Sequence, residues 1–322
     1  MIQRRYDPTL GEWRTFTAPR ASPTEERCRY CPTTDPEQPT DIPAAAYQLA
    51  VLDDPFPALS PARDPSAVAL DGIYQAQPAV GASEVVLYSD QHGRRLSELD
   101  DSHVARLVDV WADRYAVLGA RDEIEYVFFF EDGTAEGVTA GHPYGQIHGY
   151  PEIPPLMLRE LQAAVRHQQE SGTCLFCDIV ASERTDGRRV VAQNDSFLAF
   201  VPFAARFPYE LHIYPQRHIT SLVDCTDPER LALAGILRSA VRAYQAQFNA
   251  AAPYVMSMHQ APTDDGEWLS VSHLHIELTP LRSLTATEVG AGTFIADCLP
   301  EPAAADLRAA LGDAGVNEVV SR

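Results

Sequence analysis

The sequence predicts a protein of mixed helices and strands built twice over, and three observations carry that prediction. The chain has 322 residues, which suits two domains of about 150 residues better than one core. A Cys-x-x-Cys motif occurs twice, as CRYC at 28–31 and CLFC at 174–177. After each motif the same events follow in the same order: a strand-like run ending at a histidine, a helix, a second strand-like run, then a strand bearing another histidine. The predicted halves are residues 1–165 and 166–322.

In the first half, EVVLYSDQH reads as a strand ending at His92. DDSHVARLVDVWADRYAVL opens on capping residues and carries an apolar stripe at helical spacing. EYVFFF is β-rich, and the strand bearing His142 follows as GHPYGQIHGY. Segments 34–47 and 60–82 are rich in Pro, Asp and Ala without periodicity and read as surface loops. Residues 151–172, PEIPPLMLRELQAAVRHQQESG, read as a proline-started linker helix. In the second half, FLAFVPF and ELHIYPQRH read as strands, the latter ending at His218. The helix DPERLALAGILRSAVRAYQAQF leads to PYVMSMHQ and then SHLHIELTP, with His273 and His275. EPAAADLRAALGDAG reads as a terminal helix closed by glycine.

Charge narrows the function. A formal net charge of −20 argues against nucleic-acid or anionic-membrane partners, which require a basic surface. All 25 basic residues are arginine, so Schiff-base lysine chemistry and a P-loop lysine are excluded. Phosphate must be held by Arg, amides, His or metal. The start, MIQRRYDPTL, has no apolar core of a signal peptide, and no run approaches a membrane span. The expectation is a cytoplasmic protein. In a reducing compartment, paired cysteines bind metal more often than they form disulfides. Cys225 and Cys298 stand alone and read as small buried hydrophobes.

Each motif therefore forms part of a candidate metal set: Cys28, Cys31, His92 and His142, then Cys174, Cys177, His218 and His273. The histidine pairs are separated by 50 and 55 residues. Two thiolates with two imidazoles are a common tetrahedral zinc shell. The bland alternative is buried cysteine pairs with histidines on the surface. The ligands would join distant elements of a folded domain, unlike those of a short zinc finger.

At RRYDPTLGEW, APRASP, SDQHGRRLSEL and GVTAGHPYGQI, and again at VPFAARFPYELHIYP, MHQAP, HLHIELTPLRS and ATEVGAGTFIADCLPE, the chain resembles galactose-1-phosphate uridylyltransferase, a duplicated member of the histidine-triad superfamily. The resemblance implies an α+β fold: two histidine-triad-like repeats with mainly antiparallel sheets and flanking helices, as a homodimer. It implies transfer of a nucleotidyl group between a nucleotide sugar, such as UDP-glucose, and a sugar phosphate, such as galactose 1-phosphate, through a nucleotidylated histidine. The two metal sets would each hold a zinc ion. Other family members bind iron or zinc through positions that appear here as Glu160, His259, His273 and His275, so His273 is claimed by both schemes. The cysteines favour the first. Gln146 matches the glutamine that donates to the phosphate, Arg20 a phosphate-facing arginine, and Glu288 an acidic sugar-binding residue. The basic companion of Arg20 is replaced by Ser22.

The departures concern chemistry. Tyr144 occupies the nucleophile position. A neutral imidazole attacks phosphorus without losing a proton, whereas a phenol of pKa about 10 is ionised to about one part in a thousand at pH 7. Tyr144 is therefore either a covalent nucleophile or a residue that shapes the pocket. His148 is four residues along the strand, about 13 Å away, and does not replace the missing imidazole. By the internal repeat, His275 stands where the nucleophile stands in the other half, a candidate for a second catalytic site. Glu131 stands where the family has an asparagine near the phosphates. Asp54 and Pro55 replace an Asn and its neighbour that hold the nucleoside, and the basic stretch between Arg282-Ser283 and ATE is deleted. These changes point to a divergent substrate or altered chemistry. They also leave open direct displacement by inorganic phosphate or another acceptor, and a non-catalytic nucleotide-sugar binder.

Overall fold

The computed structural model describes residues 2–17, 28–61, 70, 72–132, 142–248, 253–263, 266 and 268–313. Strands β1 (Gln3–Asp7), β2 (Glu12–Phe16), β3 (Ala50–Asp53), β4 (Ala76–Pro78) and β5 (Ala82–Leu87) precede helix α1 (Asp101–Gly119). Then come β6 (Tyr126–Asp132), β7 (Tyr144–Tyr150), α2 (Pro155–Ser171) and α3 (Leu175–Asp186). The remainder is β8 (Val190–Gln193), β9 (Phe197–Phe200), β10 (Leu211–Pro215), α4 (Asp227–Phe248), β11 (Tyr254–His259), β12 (His275–Pro280), α5 (Ala286–Ala291) and α6 (Pro300–Asp313).

Nine strands form one antiparallel sheet in the order β3-β5-β7-β6-β11-β12-β10-β9-β8. Its middle is the pairing of β6 with β11, from Val255 opposite Asp132 to Met258 opposite Phe129. Outward from this seam the order is β6-β7-β5-β3 on one side and β11-β12-β10-β9 on the other. Strands that follow one another in the two passes of the sequence thus occupy matching places. The two expected sheets are one continuous sheet, because each half would otherwise expose the unpaired backbone of β6 or β11 at an edge. A separate sheet, β2-β1-β4, contains the N-terminal hairpin.

Alternation along the strands divides the core between two faces. On one face lie α1 and α4, whose Leu107, Trp111, Leu237 and Val241 pack with Val86, Phe129, Ile147 and Ile276. The N-cap Asp100 of α1 accepts a bond from the His103 amide at 2.8 Å, which satisfies a helix-end donor. On the opposite face, α2 and α3 place Met157, Leu161, Phe176 and Val180 against Leu198, Phe200 and Tyr214. The linker helix α2, which a boundary at residue 165 divides, packs with Tyr126 of the first half as well as with Phe176, Leu198 and Tyr214 of the second. Over the first half this face is covered by Tyr30 and Ile42, against Val85 and Leu87.

Gly145 in β7 shows how tight the first face is. A Cβ there would stand 2.2 Å from the Tyr88 hydroxyl and 3.3 Å from the Phe130 carbonyl oxygen. Gly145→Ala is expected to destabilise the protein by about 1–3 kcal/mol, read as a lowered denaturant midpoint. An unchanged midpoint would show that Tyr88 moves aside freely.

Several short elements differ from the sequence expectation. α3 begins at the second cysteine motif, where Cys174 is its N-cap, and no helix was expected there. β1 to β4 and β8 were not foreseen, since runs of three to five residues carry too little periodicity to identify them. The neighbouring strands hold them in place.

Candidate active site

The strand pattern brings the predicted ligands together in two clusters. In each, one ligand atom from every residue lies within 4.8 Å of the others: Cys28, Cys31, His92 and His142 in the first, Cys174, Cys177, His218 and His273 in the second. In the first cluster, Cys28 Sγ and Cys31 Sγ lie 3.7 and 3.8 Å from His142 Nδ1, and Cys31 Sγ is 3.6 Å from His92 Nδ1. The second repeats this, with Cys174 Sγ and Cys177 Sγ 3.8 and 3.7 Å from His273 Nδ1, and Cys177 Sγ 3.6 Å from His218 Nδ1. Zn–S near 2.3 Å and Zn–N near 2.0 Å at tetrahedral angles give an S···N edge of about 3.6 Å. Both donor sets fit that shell.

The other ring nitrogens of His142, His218 and His273 are already used. His142 Nε2 donates toward the Ser89 carbonyl at 2.8 Å and lies 2.6 Å from Tyr47 Oη, whose hydroxyl donates to the Tyr30 carbonyl. His273 Nε2 donates to the Pro215 carbonyl and His218 Nε2 to the Leu269 carbonyl, each at 3.2 Å. These bonds fix the tautomer that leaves Nδ1 as a lone-pair donor. Burial lowers the pKa of His142 and takes that of His273 down to about 3, keeping both rings neutral. Burial and the adjacent Cys174 thiol push the Cys177 thiol up to about 12, so a thiolate there needs a cation beside it.

His273 is thus drawn to the cysteines, and the alternative set of Glu160, His259, His273 and His275 does not assemble as expected. Glu277 takes the fourth place instead, grouped with Glu160, His259 and His275. His259 Nδ1 is 2.9 Å from Glu160 Oε2, and His275 Nε2 is 3.8 Å from the same oxygen. Burial opposes a charge on His259, yet Glu160 and Glu277 raise its pKa. For His275, burial and His259 lower the value to about 4. His275 is 3% exposed, with Nδ1 2.9 Å from the His273 carbonyl oxygen.

Residues 275 and 277 alternate along β12 and so share a face. That spacing could have revealed Glu277. Its further partners could not be read from sequence: Arg206 lies 2.5 Å and His212 3.3 Å away, and Arg206 also binds Glu210 at 2.7 Å.

The candidate reaction strand is β7, where Tyr144, Gln146, His148 and Tyr150 are half-buried on one face. Tyr144 lies opposite Leu87, with its ring 5.9 Å from that of Tyr30. Gln146 Nε2 donates to Asp54 Oδ2 at 2.8 Å, and Asp54 Oδ1 accepts from the Phe56 amide at 2.8 Å. The structure therefore brings Gln146 and Asp54 into contact beside Tyr144. His148 is turned to Phe130 and Tyr150.

Glu131 is placed elsewhere. Phe130 is opposite Gln146, so the next residue points through the sheet to the other face, where Tyr254 donates to Glu131 Oε1 at 2.6 Å. Burial pushes the Glu131 carboxyl up to about 7, partly offset by Tyr254 and Tyr88. A carboxyl raised in the folded state favours folding at pH below its unfolded value near 4.5 and loses that contribution as pH rises through 7. Glu131→Gln is therefore expected to remove a loss of roughly 3 kcal/mol between pH 4.5 and 8, measured by denaturant unfolding at both pH values. Parallel pH profiles for the two proteins would refute this assignment.

Glu288 closes the first turn of α5. Its carboxylate accepts from the Thr285 amide at 2.7 Å and from Arg282 Nη1 at 3.0 Å. Both of these bonds fall on Oε2, the first of them part of a capping box, and Oε1 accepts from Arg282 Nη2. Arg20 lies outside the described residues.

The sheet and its β7 strand define a uridylyltransferase-type protein. A solved uridylyltransferase superposes with a TM-score of 0.87 at 32% identity, covering 97% of this chain and 99% of that one. The chain belongs to the galactose-1-phosphate uridyl transferase family, whose N-terminal domain matches residues 1–154 and whose C-terminal domain matches residues 160–315. A galactose-1-phosphate uridylyltransferase of Thermotoga maritima is 31% identical over 320 residues, 96% of this chain and 98% of the relative. An ADP-glucose phosphorylase of Arabidopsis thaliana, solved with bound ADP-glucose, shares the fold with a TM-score of 0.74 at 23% identity, covering 96% of this chain and 98% of that one. Among the described residues, no helix is long and apolar enough to cross a membrane.

Proposed function

We propose that the chain is a nucleotidyltransferase that exchanges a uridylyl group between a UDP-glucose-like nucleotide sugar and a sugar 1-phosphate such as galactose 1-phosphate. The observation that supports this most is family similarity over both halves, together with Gln146 held by Asp54 on the same strand face as Tyr144. In this reading Gln146 donates to the phosphate, Asp54 orients Gln146 and the nucleoside, and Arg20 supplies positive charge. Tyr144 borders the reacting phosphorus. Glu288 meets the sugar in this reading, while Glu131, on the opposite face of the sheet, acts only through the fold.

Tyr144 favours a second reading, direct displacement, in which inorganic phosphate or another acceptor attacks the nucleotide without a covalent intermediate. The test is to offer purified protein a panel of nucleotide sugars with sugar phosphates or inorganic phosphate, and to follow products by mass spectrometry. Exchange with galactose 1-phosphate supports the first reading, and products formed only with inorganic phosphate support the second. Binding without turnover of any pair would make the chain a nucleotide-sugar binder and overturn both.

The two Cys2His2 sets would each hold zinc, which when bound supplies a cross-link rather than reaction chemistry. Cys28 and Cys31 would tie the N-terminal segment to the entrance of β7; Cys174 and Cys177 would tie α3 to the entrance of β12. Metal analysis is expected to give two zinc ions per chain, falling by one in Cys174→Ser. One equivalent or fewer, unchanged by Cys174→Ser, would remove the second site. Glu160, His259, His275 and Glu277 form the alternative place for iron or zinc. A homodimer in the cytoplasm, where thiols stay reduced, and two repeats meeting at α2 complete the proposal.

A further inference from the structure

The strands on either side of Gln146 divide the ground around the phosphate place. Toward the β3 edge, Gln146 lies opposite Val85, and Val85 opposite Leu52, two residues before Asp54. Toward the seam, Gln146 lies opposite Phe130, and Phe130 opposite Ser257. Neighbouring strands are about 4.8 Å apart, so β3 and β11, each two strands from β7, stand roughly 10 Å away on opposite sides. In the proposed function Asp54 orients the nucleoside. The seam side, over Phe130 and Ser257, is then left for the group on the far side of the phosphates.

Phe130 does not serve the core as its neighbours do. Phe129 lies in the core under α1 and α4, and Phe128 packs against the cluster under α2. Phe130 is half-buried and belongs to none of the hydrophobic clusters of the described residues. The Phe128 ring runs parallel to it within 17° at 5.5 Å, and the His148 ring meets it at 74° and 4.9 Å. His148 Nδ1 lies 3.2 Å from the Tyr150 hydroxyl, a contact that holds the imidazole against Phe130.

The second half makes the same backbone pairing without these rings. There Glu277 and Thr279 take the places of Gln146 and His148, and the residues opposite them on β11 are Ser257 and Val255. In the first half the residues opposite Gln146 and His148 are Phe130 and Phe128. The sheet therefore does not require Phe128, Phe130 and His148, and the aromatic group is confined to the half that carries Tyr144. Ser257, opposite Phe130 and half-buried, adds little bulk beside that ring.

We propose that Phe130 and Ser257 form the floor of the sugar subsite, which takes the neutral hexosyl group of the nucleotide sugar and of the sugar phosphate. The C–H bonds of a pyranose are polarised by its oxygens and meet the electron-rich surface of the Phe130 ring. Ser257 leaves the width the sugar needs, and His148 is a positioning residue that fixes the Phe130 ring. This inference deepens the proposed function and rests on it.

The test is calorimetric titration of the full chain with UDP-glucose and with UMP, which keeps the nucleoside and one phosphate but has no sugar. The wild type is expected to bind both. Phe130→Ala should weaken UDP-glucose about tenfold and leave UMP within about twofold, with the thermal melt retained. Ser257→Trp, which fills the seam side, should weaken UDP-glucose by about tenfold or more, again with UMP retained. His148→Ala should weaken UDP-glucose alone, and His148→Phe, which keeps a ring against Phe130, should restore it. Equal weakening of UMP and UDP-glucose in Phe130→Ala would overturn the sugar subsite and leave the uridylyltransferase reading standing. So would unchanged UDP-glucose affinity in either Phe130→Ala or Ser257→Trp. A wild type that binds neither ligand would refute that reading itself, and the subsite with it.

Discussion

Tyr144→His is expected to yield a trappable nucleotidylated protein from donor alone, at a rate on the order of a hundredfold or more above that of the wild type. The estimate follows from protonation: about one phenol in a thousand is ionised at pH 7, whereas an imidazole is mostly neutral and attacks with its lone pair. The ring nitrogen would form a bond to the α-phosphorus as the bond to the departing sugar-phosphate oxygen breaks. Of the surroundings that step needs, the glutamine is retained, while Ser22, Asp54 and the deleted basic stretch before Thr285 depart from the family pattern, so the adduct is a better readout than turnover. Gln146 is two residues along β7 on the same face, with Nε2 donating to Asp54 at 2.8 Å; in the proposed function its second N–H is the donor that meets the developing charge. Intact-mass measurement after mixing with UDP-glucose, followed by peptide mapping, reads the result. A stable wild-type adduct at Tyr144 would show that the phenol has taken over as nucleophile. An adduct at His275 would move the chemistry to the second half, against its 3% exposure. Rapid wild-type turnover with no adduct would establish direct displacement.

Cys28→Ser or His142→Ala is expected to cost more in folding than any change on the Tyr144 face. Metal binding in zinc-finger peptides is worth roughly 10 kcal/mol or more, comparable to the 5–15 kcal/mol that holds a typical domain folded. In this chain His142 lies two residues before the first residue of β7 and is bonded to Ser89, two residues after β5. Opening the shell would therefore loosen the pairing of β5 with β7. The expected result is loss of one zinc equivalent and a melting temperature lowered by more than about 10 °C. Chelation of the wild type should act in the same direction. Full zinc content and an unchanged melt in Cys28→Ser would show that the first cluster holds no structural metal.

How much of this was legible depended on distance along the chain. α1 and α4, at 19 and 22 residues, have enough turns for an apolar stripe to declare itself. β8 and β9, at four residues each, do not. The four-ligand sets were legible because repetition in order is independent of distance. The position of Glu131 was not, since β6 is buried on both faces and its apolar run conceals the alternation. The contacts of Glu288 were foreshadowed by a local pattern, Thr285 three residues before Glu288, which is the spacing of a capping box.

The sequence by itself determined the family, the duplicated order of elements, the two Cys2His2 sets and the tyrosine at the reaction strand. Those are properties of residue identity and spacing, carried along one dimension. Only the tertiary structure decided that the two halves share a single sheet through β6 and β11, and that His273 joins the cysteines while Glu277 joins Glu160, His259 and His275. Each of these choices is made between groups far apart in the chain. Backbone pairing in the sheet brings the strands into register, and the bond from His273 Nε2 to Pro215 then aims Nδ1 at the two sulfurs.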